Sequence, residues 1–210
     1  MLQLNDLQLD ALAETFNISL GEAAAALSAI VHEEVLLSIP VVELVPASEI
    51  ATRMNAQFQA NQRVCGVHQA FSIQAQNDFR TDTLLLFPER GGMEVVRMML
   101  GTEVPIEEIT EMEQEALSEI GNIIINACTS SIANLFQQEL VGSLPQIKIA
   151  NNGYDVLPQH EREDTMLISQ INMEIKSRAV NGYVIYMMDM ASLSTFVRNA
   201  EQAFGLPSSA

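Results

Sequence analysis

The stretch Glu115–Ile132, EALSEIGNIIINACTSSI, decides the fold, because an apolar helical pattern carries two polar residues three apart and the whole pattern occurs twice. A shift of 105 positions lays Asn5–Val45 over Thr110–Ala150. The identical positions between Leu7 and Val45 are Ala11, Leu12, Glu14, Asn17, Ile18, Glu34, Ser38 and Pro40. The chain therefore contains an internal duplication, and the two polar residues belong to it.

Both copies carry the signals that begin a long amphipathic helix. Asn5 with Gln8, and Thr110 with Glu113, pair a cap residue with Gln or Glu three positions later, which satisfies free amides at a helix start. Apolar residues then recur at three- and four-residue steps, as expected of a stripe that faces a core. The stripe consists of Leu12, Phe16, Leu20, Ala23, Leu27 and Ile30 in copy one, and of Leu117, Gly121, Ile125, Cys128, Ile132 and Leu135 in copy two.

A polar ridge lies about half a turn from each stripe, and the pattern predicts that it faces outward. Its members are Asp10, Glu14, Asn17 and Gly21 in copy one, and Glu115, Glu119, Asn122 and Asn126 in copy two. Asn costs about 0.6 kcal/mol against Ala inside a helix, so two Asn residues at equivalent positions indicate either a solvated face or a surface with a function. A carboxylate beside a carboxamide supplies charge pairing and two-way hydrogen bonding, but no nucleophile.

The rest of the chain predicts an α/β fold in which each half reads helix, strand, strand, strand, helix around one core. The predicted strands are Leu36–Val45, Val64–Ile73, Asp82–Phe87, Gly142–Ala150, Thr165–Ile175 and Gly182–Met188, and the further helices are Ser48–Asn55, Met93–Leu100 and Ser192–Phe204. Pro40 and Pro145 favour edge positions for their strands. We expect turns at Gln76–Asp78 and at Gly91-Gly92, and a polar loop over His160–Asp164.

Composition excludes several classes of function. Ten Lys and Arg against 27 Asp and Glu give a net charge of −17, which repels nucleic acid and anionic membrane surfaces. The sequence has no targeting pattern at its start and no apolar run long enough to span a membrane, so we expect a cytoplasmic protein. Cys65 and Cys128 read as packing residues, and the three His residues are widely separated. We therefore expect no metal site and no intrinsic cofactor.

The pattern Asp/Ser-x3-Glu-x2-Asn, followed by 22 residues and Pro, resembles the signature of the CheC, CheX and FliY family of bacterial chemotaxis phosphatases. It matches at Asp10, Glu14, Asn17 and Pro40 in copy one, and at Glu119, Asn122 and Pro145 in copy two. Two motifs in 210 residues resemble a CheC-type member. The resemblance implies one CheC-like domain over residues 1–210, with repeat halves of about 5–100 and 110–205, internal pseudo-twofold symmetry, a mostly antiparallel sheet and two exposed motif helices.

The resemblance also implies a partner and a mechanism. The substrate would be the aspartyl phosphate of a phosphorylated CheY-like response regulator, which holds its own Mg²⁺. Asn17 or Asn122 would hold the attacking water in line with phosphorus. Glu14 or Glu119 would pair with the active-site Lys of the regulator. The flanking residues of the ridges would contact the partner: Asp10, Gly21, Glu115 and Asn126.

The two sites are expected to differ in strength, because Phe16 stands where copy two has Gly121, and Glu115 stands where copy one has Asp10. The main alternative is a non-catalytic adaptor that binds a response regulator, a CheD-like deamidase or the flagellar switch. A structural domain whose repeated Glu and Asn are merely surface is a further alternative. The internal duplication is compatible with a monomer, since two halves can do what a symmetric dimer would.

Overall fold

The computed structural model describes residues 4–59, 62–73, 76–101, 110–158 and 165–207. Its α-helices are α1 Asp6–Val31, α2 Ala47–Ala56, α3 Glu89–Leu100, α4 Glu111–Phe136 and α5 Met190–Ala203. Its strands are β1 Leu36–Leu37, β2 Val41–Pro46, β3 Val64–Ile73, β4 Gln76–Pro88, β5 Leu140–Gly142, β6 Gln146–Ala150, β7 Thr165–Ile175 and β8 Val180–Asp189. A short 3-10 helix, Lys176–Arg178, joins β7 to β8.

One sheet contains all eight strands in the order β1-β7-β8-β4-β3-β5, with β2 beside β7 and β6 beside β3. Every pairing within the described residues is antiparallel. The predicted α/β class with a mostly antiparallel sheet is therefore confirmed.

The two halves of the sheet are interleaved. Strands β1 and β2 of the first half pair with β7 of the second, and β5 and β6 of the second half pair with β3 of the first. The inner strands β4 and β8 pair with each other at the centre, where Leu84 faces Ile185. A pseudo-twofold axis thus passes between β4 and β8, and neither half completes its part of the sheet alone.

Four helices cover one face of the sheet and α2 covers the other. The larger core joins α1, α3, α4 and α5 to inward-facing residues such as Leu85 and Tyr186. The smaller core places Ile50 and Met54 of α2 against Leu84 and Ile185. The predicted stripes face the larger core, where they are buried except for the partly buried Ile30 and Leu135 at their ends.

Both predicted helix starts are confirmed. Asn5 and Gln8 exchange hydrogen bonds between side chain and backbone, each 2.9 Å long, and Thr110 with Glu113 forms the second capping box. The hydrogen bond from the Thr110 hydroxyl holds the pKa of the Glu113 carboxyl below its ordinary value. The duplication therefore sets the same starting point for α1 and α4, and with it the same orientation of both ridges.

The two proline-containing segments lie at the borders of the sheet, as predicted, but each is broken into two strands. In the gap of the first copy, the Ser38 amide donates to the Asn172 carbonyl at 2.9 Å and the Ser38 hydroxyl accepts from the Asn172 amide at 3.0 Å. Ser143 makes the equivalent pair with Ala70, at 2.8 and 3.0 Å. The Ser hydroxyl replaces a strand carbonyl just before a proline that has no N–H to donate.

Two predicted turns are wrong. The segment Gln76–Asp78 begins β4, which is longer than its apolar part suggested. The pair Gly91-Gly92 lies inside α3, where a Cβ on Gly92 would come within 2.4 Å of the Cys65 sulfur, so the glycine permits close packing of helix on sheet. The predicted loop His160–Asp164 lies outside the described residues.

Both cysteines are buried, free and part of the larger core, as predicted. Burial raises the pKa of the Cys65 thiol to about 12 and that of the Cys128 thiol to about 11. Both thiols therefore stay neutral near neutral pH.

Candidate functional site

The ridge of α1 is open to solvent along its length. Asp10, Glu14, Asn17 and Gly21 are all exposed. The Asn17 side-chain nitrogen lies 3.4 Å from a Glu14 carboxylate oxygen, a long hydrogen bond along the helix. The Asn17 side-chain oxygen accepts no hydrogen bond from any residue that the structure describes, so both of its lone pairs face solvent.

The position of the α1 ridge is set from below by Phe16, which is fully buried. Its ring lies 4.8 Å from the Tyr186 ring and 5.3 Å from the Phe196 ring, measured between centroids. This aromatic cluster anchors the helix on the side opposite its acidic ridge. Glu14 and Asn17, on either side of Phe16 in sequence, are thereby held on the outer surface.

The ridge of α4 differs along its length. Glu115 and Glu119 are exposed, whereas Asn122 and Asn126 are only partly so. The Asn122 side-chain oxygen accepts one hydrogen bond from Gln69 at 3.1 Å and one from Asn126 at 2.8 Å. The Asn126 amide also lies 2.7 Å from the Asn122 backbone carbonyl. Asn122 is therefore at the surface, but its carboxamide is turned toward the protein.

A glycine explains why α4 comes this close to the sheet. A Cβ built on Gly121 would lie 2.5 Å from two Val67 side-chain atoms, a separation that packed carbon atoms do not reach. Only glycine allows this approach of α4 to β3. In copy one the equivalent residue is Phe16, whose fully buried ring packs against Tyr186 and Phe196. The residue at this one repeat position therefore distinguishes α4, which packs directly on β3, from α1, which packs on an aromatic cluster.

Gln69 was missed at the sequence level, although the signal was present. In β3, Cys65, Val67 and Phe71 face the helices, and Gln69 occupies the same face with 2% of its surface exposed. Its side-chain nitrogen donates to Asn122 and also to the Ser143 carbonyl, at 3.1 Å each. Its side-chain oxygen is buried and has no partner among the described residues. A polar residue at an inward-facing strand position predicts such a buried hydrogen bond.

An exposed apolar residue follows each of the two serines, Ser38 and Ser143, that hydrogen-bond to a neighbouring strand before a proline. Ile39 is 80% exposed and Leu144 is 84% exposed, and the two occupy equivalent positions in the duplication. The Leu144 segment is tied to the site, because the Ser143 carbonyl shares the Gln69 amide with Asn122. Ile39 and Leu144 form two exposed apolar tips, and apolar tips of this kind are suited to contact with another protein.

Metal-binding clusters and membrane spans are two further features that could define a function. The part of the chain that the structure describes contains no group of three His, Cys, Asp or Glu residues able to hold a metal ion. His68 instead lies 2.7 Å from the Asp82 carboxylate. Among the described helices, none is long and apolar enough to cross a membrane.

Sequence comparison finds relatives with established names. The chain is 23% identical over 145 residues to the CheY-P phosphatase CheC of Bacillus subtilis, and the aligned region covers 68% of this chain and 66% of CheC. It is 22% identical over 164 residues to the flagellar motor switch phosphatase FliY of the same organism, which covers 75% of this chain and 41% of FliY. No protein-family model matches the chain.

Solved structures share the fold. FliY of Thermotoga maritima superposes with a TM-score of 0.73 at 18% identity and covers 96% of this chain and 100% of its own. A CheC-like superfamily protein from Shewanella gives 0.57 at 16% identity, covering 83% of this chain and 96% of its own. The FliM middle domain from H. pylori gives 0.66 at 10% identity, covering 93% and 99%.

The chain therefore has the α/β fold of FliY and of the CheC-like superfamily protein. The sequence likeness to CheC and FliY supports the CheC, CheX and FliY family that the motifs predicted.

Proposed function

We propose that this protein accelerates hydrolysis of the aspartyl phosphate on a CheY-like response regulator in chemotaxis signalling. The relatives named CheY-P phosphatase CheC and flagellar motor switch phosphatase FliY support the reaction class. The observation that carries the proposal is the Glu14 and Asn17 pair of α1, exposed side by side with the Asn17 side-chain oxygen open to solvent.

The chemistry needs a positioned water and little else. The water oxygen bonds to phosphorus while the bond from phosphorus to the aspartyl oxygen breaks, which releases inorganic phosphate and restores the carboxylate of the partner. Asn17 accepts a hydrogen bond from the water and so directs a water lone pair at phosphorus. Since the transition state of phosphoryl transfer is loose, orientation of the water supplies several kcal/mol without a covalent intermediate.

The residue types suit these roles. A carboxamide stays neutral, so it orients water without placing negative charge beside the phosphate, whereas a carboxylate at position 17 would repel it. Glu14 pairs with the active-site Lys of the regulator, and the regulator holds the Mg²⁺. Asn122 and Glu119 form the second such pair. The flanking residues that contact the partner are Asp10, Gly21, Glu115 and Asn126.

The proposal is tested with regulators from the same genome, phosphorylated by a small phosphodonor and then separated from it. Loss of the aspartyl phosphate is followed with and without the protein at catalytic concentration. We expect at least one regulator to lose phosphate at least about tenfold faster, which corresponds to about 1.4 kcal/mol of the barrier. If a regulator binds the protein and keeps its phosphate at the unassisted rate, the catalytic proposal fails.

A second candidate is an adaptor that binds a response regulator, a CheD-like deamidase or a flagellar switch component without hydrolysis. The exposed Ile39 and Leu144 support it, because apolar tips suit docking and need no catalytic group. The fold is also shared with the FliM middle domain, and a fold alone does not fix activity. Binding without faster loss of phosphate would select this candidate, and either role is consistent with a cytoplasmic protein.

A further inference from the structure

We propose, on the basis of the function proposed above, that Gln69 and Asn126 hold the Asn122 carboxamide turned inward and restrain the second site, so that Asn17 supplies most of the activity. Gln69 and Asn126 are then positioning residues that act through Asn122.

The restraint acts on the atom that the reaction needs. A carboxamide oxygen has two lone pairs, and in Asn122 both are engaged, by Gln69 at 3.1 Å and by Asn126 at 2.8 Å. To accept a hydrogen bond from the attacking water, Asn122 must first give up one of these partners. The Asn122 N–H groups can only donate hydrogen bonds, so an N–H that meets the water competes for the lone pair that should face phosphorus.

Burial makes the Gln69 contact persistent. Gln69 lies in the middle of β3, where rotation of its side chain is limited by packing, and its second acceptor, the Ser143 carbonyl, fixes the same nitrogen from the other side. The two acceptors keep the Gln69 side-chain nitrogen toward Asn122 and Ser143, although its own oxygen has no partner among the described residues. Reversal of the amide would set three oxygen atoms against one another.

Copy one lacks both restraining groups. Val41 and Gln146 occupy equivalent positions in the duplication. Val41 pairs with Gln170 across the sheet and Gln146 pairs with His68, so Gln170 corresponds to His68. Position 171 therefore corresponds to Gln69, and it is a buried Ile. Gly21 corresponds to Asn126, and nothing lies within 4 Å of the position that a Cβ on Gly21 would take, so no donor at this position restrains the Asn17 side-chain oxygen.

The duplication itself supplies the variants for a test. Gln69→Ile installs the residue that copy one carries at the equivalent place, and Asn126→Ala removes the second donor without the helix penalty of glycine. Both changes are made in an Asn17→Ala background, so that only Asn122 can act. Dephosphorylation of one phosphorylated regulator is measured over a range of regulator concentrations to separate kcat from KM.

We expect Gln69→Ile to raise kcat of the Asn17→Ala protein about fivefold, the scale of one side-chain hydrogen bond, with KM unchanged. Addition of Asn126→Ala raises it further, and addition of Asn122→Ala abolishes the gain. A role of Gln69 in stability alone cannot produce an increase. A kcat that is unchanged or lower in Gln69→Ile would overturn the inference while the proposed function stands.

The reciprocal experiment places a restraint on the open site. Gly21→Asn is made in an Asn122→Ala background, where the new amide can reach the Asn17 oxygen one turn away, and the open space at Gly21 accepts the side chain. We expect kcat to fall several-fold relative to Gly21→Ala in the same background. Equal kcat for the two variants counts against the inference. If the wild type does not accelerate hydrolysis at all, the proposed function fails and this inference falls with it.

Discussion

Two glycines inside the motif helices allow the packing of α4 to be tested by stability alone. Ala is favoured over Gly in a helix interior by about 0.5–1 kcal/mol, a gain common to both positions. At Gly21 a Cβ meets nothing within 4 Å, so Gly21→Ala should stabilise the protein by that amount. At Gly121 a Cβ would lie 2.5 Å from two Val67 side-chain atoms, so α4 must move away from β3. Such overpacking costs about 1–3 kcal/mol.

Because the helix-propensity gain cancels between the variants, the difference between their free energies of unfolding isolates the overpacking cost, about 1–3 kcal/mol. Urea denaturation followed by circular dichroism measures it, with equal m-values as the check that both variants unfold in the same way. If Gly121→Ala is as stable as Gly21→Ala, then α4 does not rest on β3 through Gly121, and the account of the second site is wrong.

Three further predictions concern the core, the thiols and the apolar tips. Phe16→Ala should cost about 3–5 kcal/mol in thermal unfolding, because it removes a fully buried ring from an aromatic cluster. Cys65 and Cys128 should resist a thiol reagent until the protein unfolds. Because their raised pKa values favour the protonated thiols of the folded state, the stability that they contribute is complete below pH 9.0 and is lost as pH rises toward about 11 to 12. A denaturation midpoint that does not change with pH in this range would contradict this. Ile39→Ser with Leu144→Ser should weaken regulator binding in a titration but change the free energy of unfolding by less than about 0.5 kcal/mol, and unchanged affinity would show that the tips are not contacts.

Features that depend on neighbouring residues along the chain were predictable. The capping residues Asn5 and Thr110 begin their helices where the sequence indicates, and the three- and four-residue spacing orients both stripes inward. Strand β7 has the bounds that its apolar pattern predicts, because its alternating residues serve two buried faces. In these cases local propensity and tertiary packing favour the same structure.

Features that depend on distant pairings were not predictable. No local pattern states that β2 pairs with β7 and that β6 pairs with β3, so the interleaving of the halves emerges only in the structure. The hydrogen bond from Gln69 to Asn122 joins residues 53 positions apart on different elements. The sequence placed Asn17 and Asn122 on equivalent ridges, but the difference between them arises from β3, which belongs to the other half of the duplication.

The central claim is that the two repeated asparagines orient the attacking water. The most direct test compares the wild type with Asn17→Ala, Asn122→Ala and the double variant. All four proteins are first shown to bind one phosphorylated regulator equally, and they are then compared at concentrations that saturate it. The account predicts that the double variant leaves the regulator at its own rate of phosphate loss and that Asn17→Ala is the slower of the two single variants. A double variant as fast as the wild type would contradict it.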